Sequence, residues 1–73
     1  MKILINPYKV TVGQYLALNA ALSEYTRQGE GIHDQQFFTE DGILYVHVQF
    51  YNGKECEYVF DGAQWVKHVL TEI

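Results

Sequence analysis

Apolar and polar residues alternate along the C-terminal half of the chain, from Phe37 to Leu70. An acid or amide followed by glycine interrupts this pattern three times, at Asp41-Gly42, Asn52-Gly53 and Asp61-Gly62. Alternation of this kind is typical of strands with one buried face, and such dipeptides are strong hairpin-turn signals. The pattern therefore predicts a meander of short antiparallel strands.

One segment before the meander, Thr11 to Gln28, has the spacing of an amphipathic helix. Its larger apolar side chains recur every three or four residues, at Tyr15, Leu18, Leu22 and Tyr25. Thr11 and Gln14 match the T-x-x-Q pattern of a capping box, which marks the start of the helix. Gly29 follows the last turn and suits the left-handed position there. One helix covers one face of a sheet, so we expect the other face to stay open.

A short strand, Lys2 to Ile5, precedes the helix and is ended by Asn6-Pro7. Together these elements predict an α+β fold in which one amphipathic helix packs on a four- to five-stranded antiparallel meander sheet, in the order β-α-β-β-β-β. The 73 residues correspond to one domain, residues 1–73.

The register of the central strand, Ile43 to Phe50, depends on the turn that follows it. A two-residue Asn52-Gly53 loop would place Val48 beside Glu57. A three-residue loop ending in a left-handed Gly53 would pair Val48 with Cys56, Val46 with Tyr58 and Leu44 with Phe60. Since a one-residue slip moves every side chain to the other face, the hydrophobic pattern favours the three-residue loop.

The last segment has two interpretations. As a strand, Gln64 to Leu70 pairs back across Asp61-Gly62 and buries Trp65 near Tyr58. As a helix, it would be capped by Asp61, with Val66, Val69, Leu70 and Ile73 on one side. Its tryptophan, valines and threonine are better strand formers than helix formers, so the strand is favoured.

The open face of this sheet has the composition of an interface, with apolar and aromatic residues surrounded by polar ones. We predict that it carries Ile43, Tyr45, His47, Gln49, Tyr51, Glu57, Val59, Val66 and His68. Leu70 and one of Phe37 and Phe38 join them, with Gln36 and Gln64 at the rim. The simplest partner for such a face is a second copy of the chain, because twofold homodimers are the commonest oligomers.

Charge and cysteine content narrow the choice of partner and compartment. The formal net charge is −4, and residues 28–53 contain no lysine or arginine. A basic nucleic-acid footprint is therefore missing, and we expect no direct binding of nucleic acid. A single cysteine and a short apolar N-terminal run predict a cytoplasmic protein, of a cell or an infected host, with no signal peptide and no membrane contact.

Small, acidic, aromatic chains of this kind are common among bacteriophage and mobile-element proteins that inhibit a host factor. The leading hypothesis is a non-enzymatic protein-binding module acting through the open face. An alternative is an acidic regulator that occupies the basic, nucleic-acid-binding site of its partner. Its acidic patch would consist of Glu30, Asp34, Glu40 and Asp41.

A second alternative is a metal-binding domain, since His47, Glu57 and His68 could project together from adjacent strands. Half-exposed strand residues account for the same pattern without a metal, so we predict no metal and no cofactor. Cys56 is expected to point into the core while His47 points away, which leaves no nucleophile–base pair and predicts no catalytic residues.

Overall fold

The computed structural model describes residues 1–68. Its elements in chain order are β1 (Lys2–Leu4), a 3-10 turn (Pro7–Lys9), α1 (Val12–Thr26), β2 (Ile32–Glu40), β3 (Ile43–Phe50), β4 (Glu55–Phe60) and β5 (Trp65–His68). The strands form one antiparallel sheet whose spatial order equals the chain order. The predicted α+β meander is therefore confirmed, with five strands.

The capping box starts α1 as predicted. The Thr11 hydroxyl accepts the Gln14 backbone N–H at 3.1 Å, and the Gln14 side-chain carbonyl accepts the Thr11 backbone N–H at 2.9 Å. These bonds satisfy two donors that the first helical turn would otherwise leave unpaired. The helix ends at Thr26, two residues before the predicted boundary at Gln28, and Gly29 follows with φ of +82°.

The β2–β3 turn decides which phenylalanine reaches the open face. Asp41 and Gly42 both have positive φ, at 54° and 78°, which is the conformation of a two-residue type I′ hairpin. This turn pairs Phe38 with Tyr45 and Phe37 with Val46. Phe37 therefore lies in the core beneath the helix, and Phe38 lies on the opposite face.

The β3–β4 turn has the predicted three-residue loop. The Phe50 backbone N–H donates to the Lys54 carbonyl at 2.9 Å, and Gly53 has φ of +89°. Val48 consequently pairs with Cys56, and Val46 pairs with Tyr58. The hydrophobic pattern thus selected the right register.

The last described segment, Trp65–His68, is a strand, so the helical alternative is wrong for these residues. Trp65 is buried as predicted, in the same core cluster as Tyr58, and it pairs with Phe60 across the two strands. The four-residue connection from Asp61 to Gln64 sets this register. The predictions for Val69, Leu70 and Ile73 lie outside the described residues.

The core lies between α1 and the inner face of the sheet. Leu18 and Leu22 of the helix, with Val46 and Val48 of β3, are at most 1% exposed. Three pairs of aromatic rings pack together in this core. Tyr15 contacts Phe37, Tyr25 contacts Phe50 and Trp65 contacts Phe60, at centroid distances of 5.4, 5.0 and 5.1 Å. The Trp65 indole N–H also donates to the Gln14 carbonyl at 2.9 Å, which ties β5 to the start of the helix.

Candidate protein-binding face

The outer face is the side of the sheet opposite α1, and its side chains form rows that cross the strands. One row, the apolar row, takes one apolar residue from each strand: Leu4, Phe38, Tyr45, Val59 and Val66. The neighbouring polar row consists of Gln36, His47, Glu57 and His68. The antiparallel registers produce these rows, because residues directly opposite each other on paired strands share a face.

The middle of the apolar row is organised by aromatic contacts. The rings of Phe38 and Tyr45 stack 5.2 Å apart, only 7° from parallel. The Lys2 ammonium lies 4.5 Å from the Phe38 centroid, a cation–π contact, and the His68 ring meets the Tyr45 ring edge-on at 6.0 Å. Phe38 is therefore buried within the chain itself, although it lies on the face that the helix leaves open.

The two ends of the apolar row remain accessible. Leu4 is 71% exposed and Val66 is 44% exposed, while Tyr45 and Val59 between them are half-buried. Ile43, beyond the row toward the β2–β3 turn, is also 44% exposed. The exposed apolar surface of the outer face therefore lies at the two ends of the row and at Ile43, with buried and half-buried members of the row between them.

Hydrogen bonds order the polar side of this face. His47 lies opposite Glu57, as predicted, but its Nε2 hydrogen-bonds Glu55 Oε1 at 2.7 Å, whereas its Nδ1 is 3.8 Å from Glu57 Oε2. Gln49 Nε2–H donates to the same Glu55 oxygen at 3.2 Å. The His47 bond and then the Gln49 bond hold the pKa of Glu55 below its usual range. Glu55 was not among the predicted site residues, although the three-residue turn already placed it opposite Gln49.

The metal-binding alternative receives no geometric support in the described part of the chain. His68 lies directly opposite Glu57, so the three candidate ligands are indeed neighbours on one face. Within residues 1–68, however, no group of three or more histidine, cysteine, aspartate or glutamate side chains is close enough to hold a metal ion.

Two of the predicted face residues lie in turns. Tyr51 is in the β3–β4 turn, where its backbone N–H donates to the Gly31 carbonyl at 3.0 Å and its ring meets the His33 ring edge-on at 5.0 Å. Gln64 is in the β4–β5 connection, where its N–H donates to the Asp61 side chain at 2.7 Å. Both residues border the sheet at its ends.

The four residues of the acidic patch are divided between two places. Asp34 and Glu40 lie near opposite ends of β2, roughly 20 Å apart at about 3.3 Å per residue. Glu40 is opposite Lys2, and Asp41 is in the adjoining turn. Glu30, at the other end, forms an ion pair with Lys54 at 2.6 Å. A single dense acidic surface is therefore not formed by these residues.

Cys56 and His47 lie on opposite faces of the sheet. Cys56 is 6% exposed and belongs to the core cluster, and burial raises the pKa of its thiol. Burial likewise raises the pKa of Tyr58, its neighbour on the inner face. Both groups are thus held in the protonated form, away from the imidazole on the outer face.

The chain matches no protein-family model, and no curated protein or solved structure is significantly similar to it. In the part of the chain that the structure describes, no helix is both long and apolar enough to span a membrane.

Proposed function

We propose that this chain is a non-enzymatic protein-binding module that associates with a second copy of itself through the outer face. The observation that carries this proposal is the apolar row, with one member in every strand. Exposed apolar side chains lie at both ends of this row and at Ile43, and exposed apolar patches on soluble proteins often mark interaction sites.

The dimensions of the molecule fit a homodimer. The chain is 19 Å thick, and its broad faces measure 32 by 31 Å. A stable interface buries about 800 Å² on each partner, which a broad face of this size can supply and an edge cannot. The remaining polar rim, in which His47 and Gln49 both bond to Glu55, resembles the rim of a specific interface.

Inhibition of a host factor by a phage or mobile-element protein remains a prediction from size and composition. The acidic-regulator alternative is less favoured, because Glu30 is paired with Lys54 and Glu40 lies opposite Lys2. A divided set of carboxylates, one of them already ion-paired, is a poor imitation of a nucleic-acid backbone.

Two charge substitutions test the proposed face. Tyr45→Glu and Val66→Glu each place a carboxylate in the apolar row, and each should weaken self-association by about 100-fold or more, because the charge would be buried without a partner. Analytical ultracentrifugation gives the dissociation constants. The matched control is Leu16→Glu, which adds the same charge to the exposed surface of α1, where Leu16 is 64% exposed.

Circular dichroism and thermal unfolding establish that each variant is folded. The proposal predicts that Leu16→Glu associates like the wild type while the two outer-face variants are monomers. If folded Val66→Glu associates as tightly as the wild type, the outer face is not the binding surface.

A further inference from the structure

We infer that the two copies are related by a twofold axis that runs along the strands, in the plane between the sheets, between β3 and β4. This inference rests on the proposed function and specifies its geometry. It is carried by the order of the rows on the outer face, in which this rotation sets each row against the same row of the partner.

The direction of the axis follows from the rows. Rotation about an axis along the strands leaves each row at the same height, so the apolar row meets the apolar row and the polar row meets the polar row. An axis across the strands would exchange the two sides of the apolar row. His47 would then face the partner's Ile43, and an imidazole would be buried against an apolar side chain.

The lateral position of the axis follows from charge. Placed between β3 and β4, it sets Tyr45 against the partner's Val59, His47 against the partner's Glu57 and Gln49 against the partner's Glu55. Each contact therefore joins an aromatic to an aliphatic residue or a donor to a carboxylate. Every such pair occurs twice, because the interface is isologous.

A position of the axis between β2 and β3 would set His47 against the partner's Gln36 and not against a carboxylate, and positions centred on a strand give like-with-like contacts. Centred on β3, the axis would put His47 against the partner's His47. Centred on β4, it would put Glu57 against the partner's Glu57 and Glu55 against the partner's Glu55. Like-charged groups in direct opposition disfavour an interface, and charge complementarity therefore helps to fix its register.

The arrangement also satisfies the geometry of sheet packing. A twofold along the strands keeps the strand directions of the two sheets nearly aligned, and the twist of each sheet then gives the angle of about −30° that is common in sandwiches. The two sheets would lie about 10 Å apart, with α1 of each copy on the outside.

Two spin-labelled variants of the full chain test the axis by pulsed dipolar spectroscopy. Ile3→Cys labels β1, where Ile3 is 58% exposed, and Ala63→Cys labels the exposed β4–β5 connection. With strands about 4.8 Å apart and sheets about 10 Å apart, the proposed axis puts the two Ile3 positions about 26 Å apart and the two Ala63 positions about 14 Å apart. An axis across the strands reverses the order, with Ile3 the closer pair.

A long Ile3 distance together with a short Ala63 distance supports the inference. The reverse order, or equal distances in the two variants, overturns it while leaving the outer-face dimer intact. A monomeric mass for both labelled variants and for the wild type overturns the inference and the proposed function together. Wild-type protein treated with the labelling reagent is the control, since buried Cys56 should remain unmodified.

Discussion

At the residue scale, one ion pair fastens the loop after α1 to the β3–β4 turn. Lys54 Nζ lies 2.6 Å from Glu30 Oε1, and the Asn52 side-chain amide donates to the same oxygen at 3.1 Å. The bond from Lys54 is the main reason that the pKa of Glu30 is lowered in the folded protein, and it raises the pKa of Lys54. The contact joins residues that are far apart in sequence, so the acidic run alone predicted a free carboxylate.

This pair predicts a pH-dependent contribution to stability. Because the folded pKa of Glu30 is lowered, the stabilisation is present above the unfolded value of about 4.3 and is lost as the pH falls through the folded value. Lys54→Met should therefore lower the free energy of unfolding at pH 7 and have a much smaller effect near pH 3. Urea denaturation at both values measures this, with Lys9→Met as the control for loss of one lysine.

A Lys54→Met effect that is equally large at pH 3 and pH 7 would contradict the ion-pair explanation. It would instead indicate that the methylene stem of Lys54 contributes by packing.

At the scale of the elements, the turns determine which side chains share a face. The three-residue β3–β4 loop could be predicted, because the alternative turn would have placed Glu57 on the core side, beside Val48, and moved the apolar residues of β4 to the other face. Which of Phe37 and Phe38 faces the core could not be predicted, because both residues are apolar. The two-residue Asp41-Gly42 turn decides between them. The sequence favoured a strand over a helix at Trp65–His68 but did not decide between them. The register of this strand depends on a four-residue connection and on the bond from Trp65 to α1.

A glycine substitution in the β3–β4 turn measures how much the backbone conformation of the turn contributes to the free energy of unfolding. Gly53→Ala should lower the free energy of unfolding by about 1 kcal/mol, because a side chain disfavours the left-handed φ of +89°. An added Cβ would meet no atom within 4 Å at this position, so the cost belongs to the backbone alone. Urea unfolding with an unchanged m-value gives the difference.

The same substitution in α1 is the control. Gly13→Ala brings a Cβ to 3.9 Å from Thr11 Oγ1, an ordinary contact, and should raise stability by up to about 1 kcal/mol. Equal effects at Gly13 and Gly53 would mean that backbone conformation is not what distinguishes the two positions.

At the scale of the whole molecule, the open face could be predicted from a count of elements, because one helix covers one side of a sheet. The identity of most face residues followed from alternation within β3 and β4. Lys2 and Leu4 were not predicted there, since β1 is only three residues long and its place beside β2 is set by long-range pairing. The burial of Phe38 beneath Lys2 was equally inaccessible to a pattern-based interpretation.

The most direct test of the proposed function is the solution mass of the wild-type chain, measured by light scattering over a wide range of concentrations. The account predicts a species of twice the chain mass of 8.5 kDa that dissociates only on dilution. A mass of 8.5 kDa at every concentration would contradict self-association through the outer face.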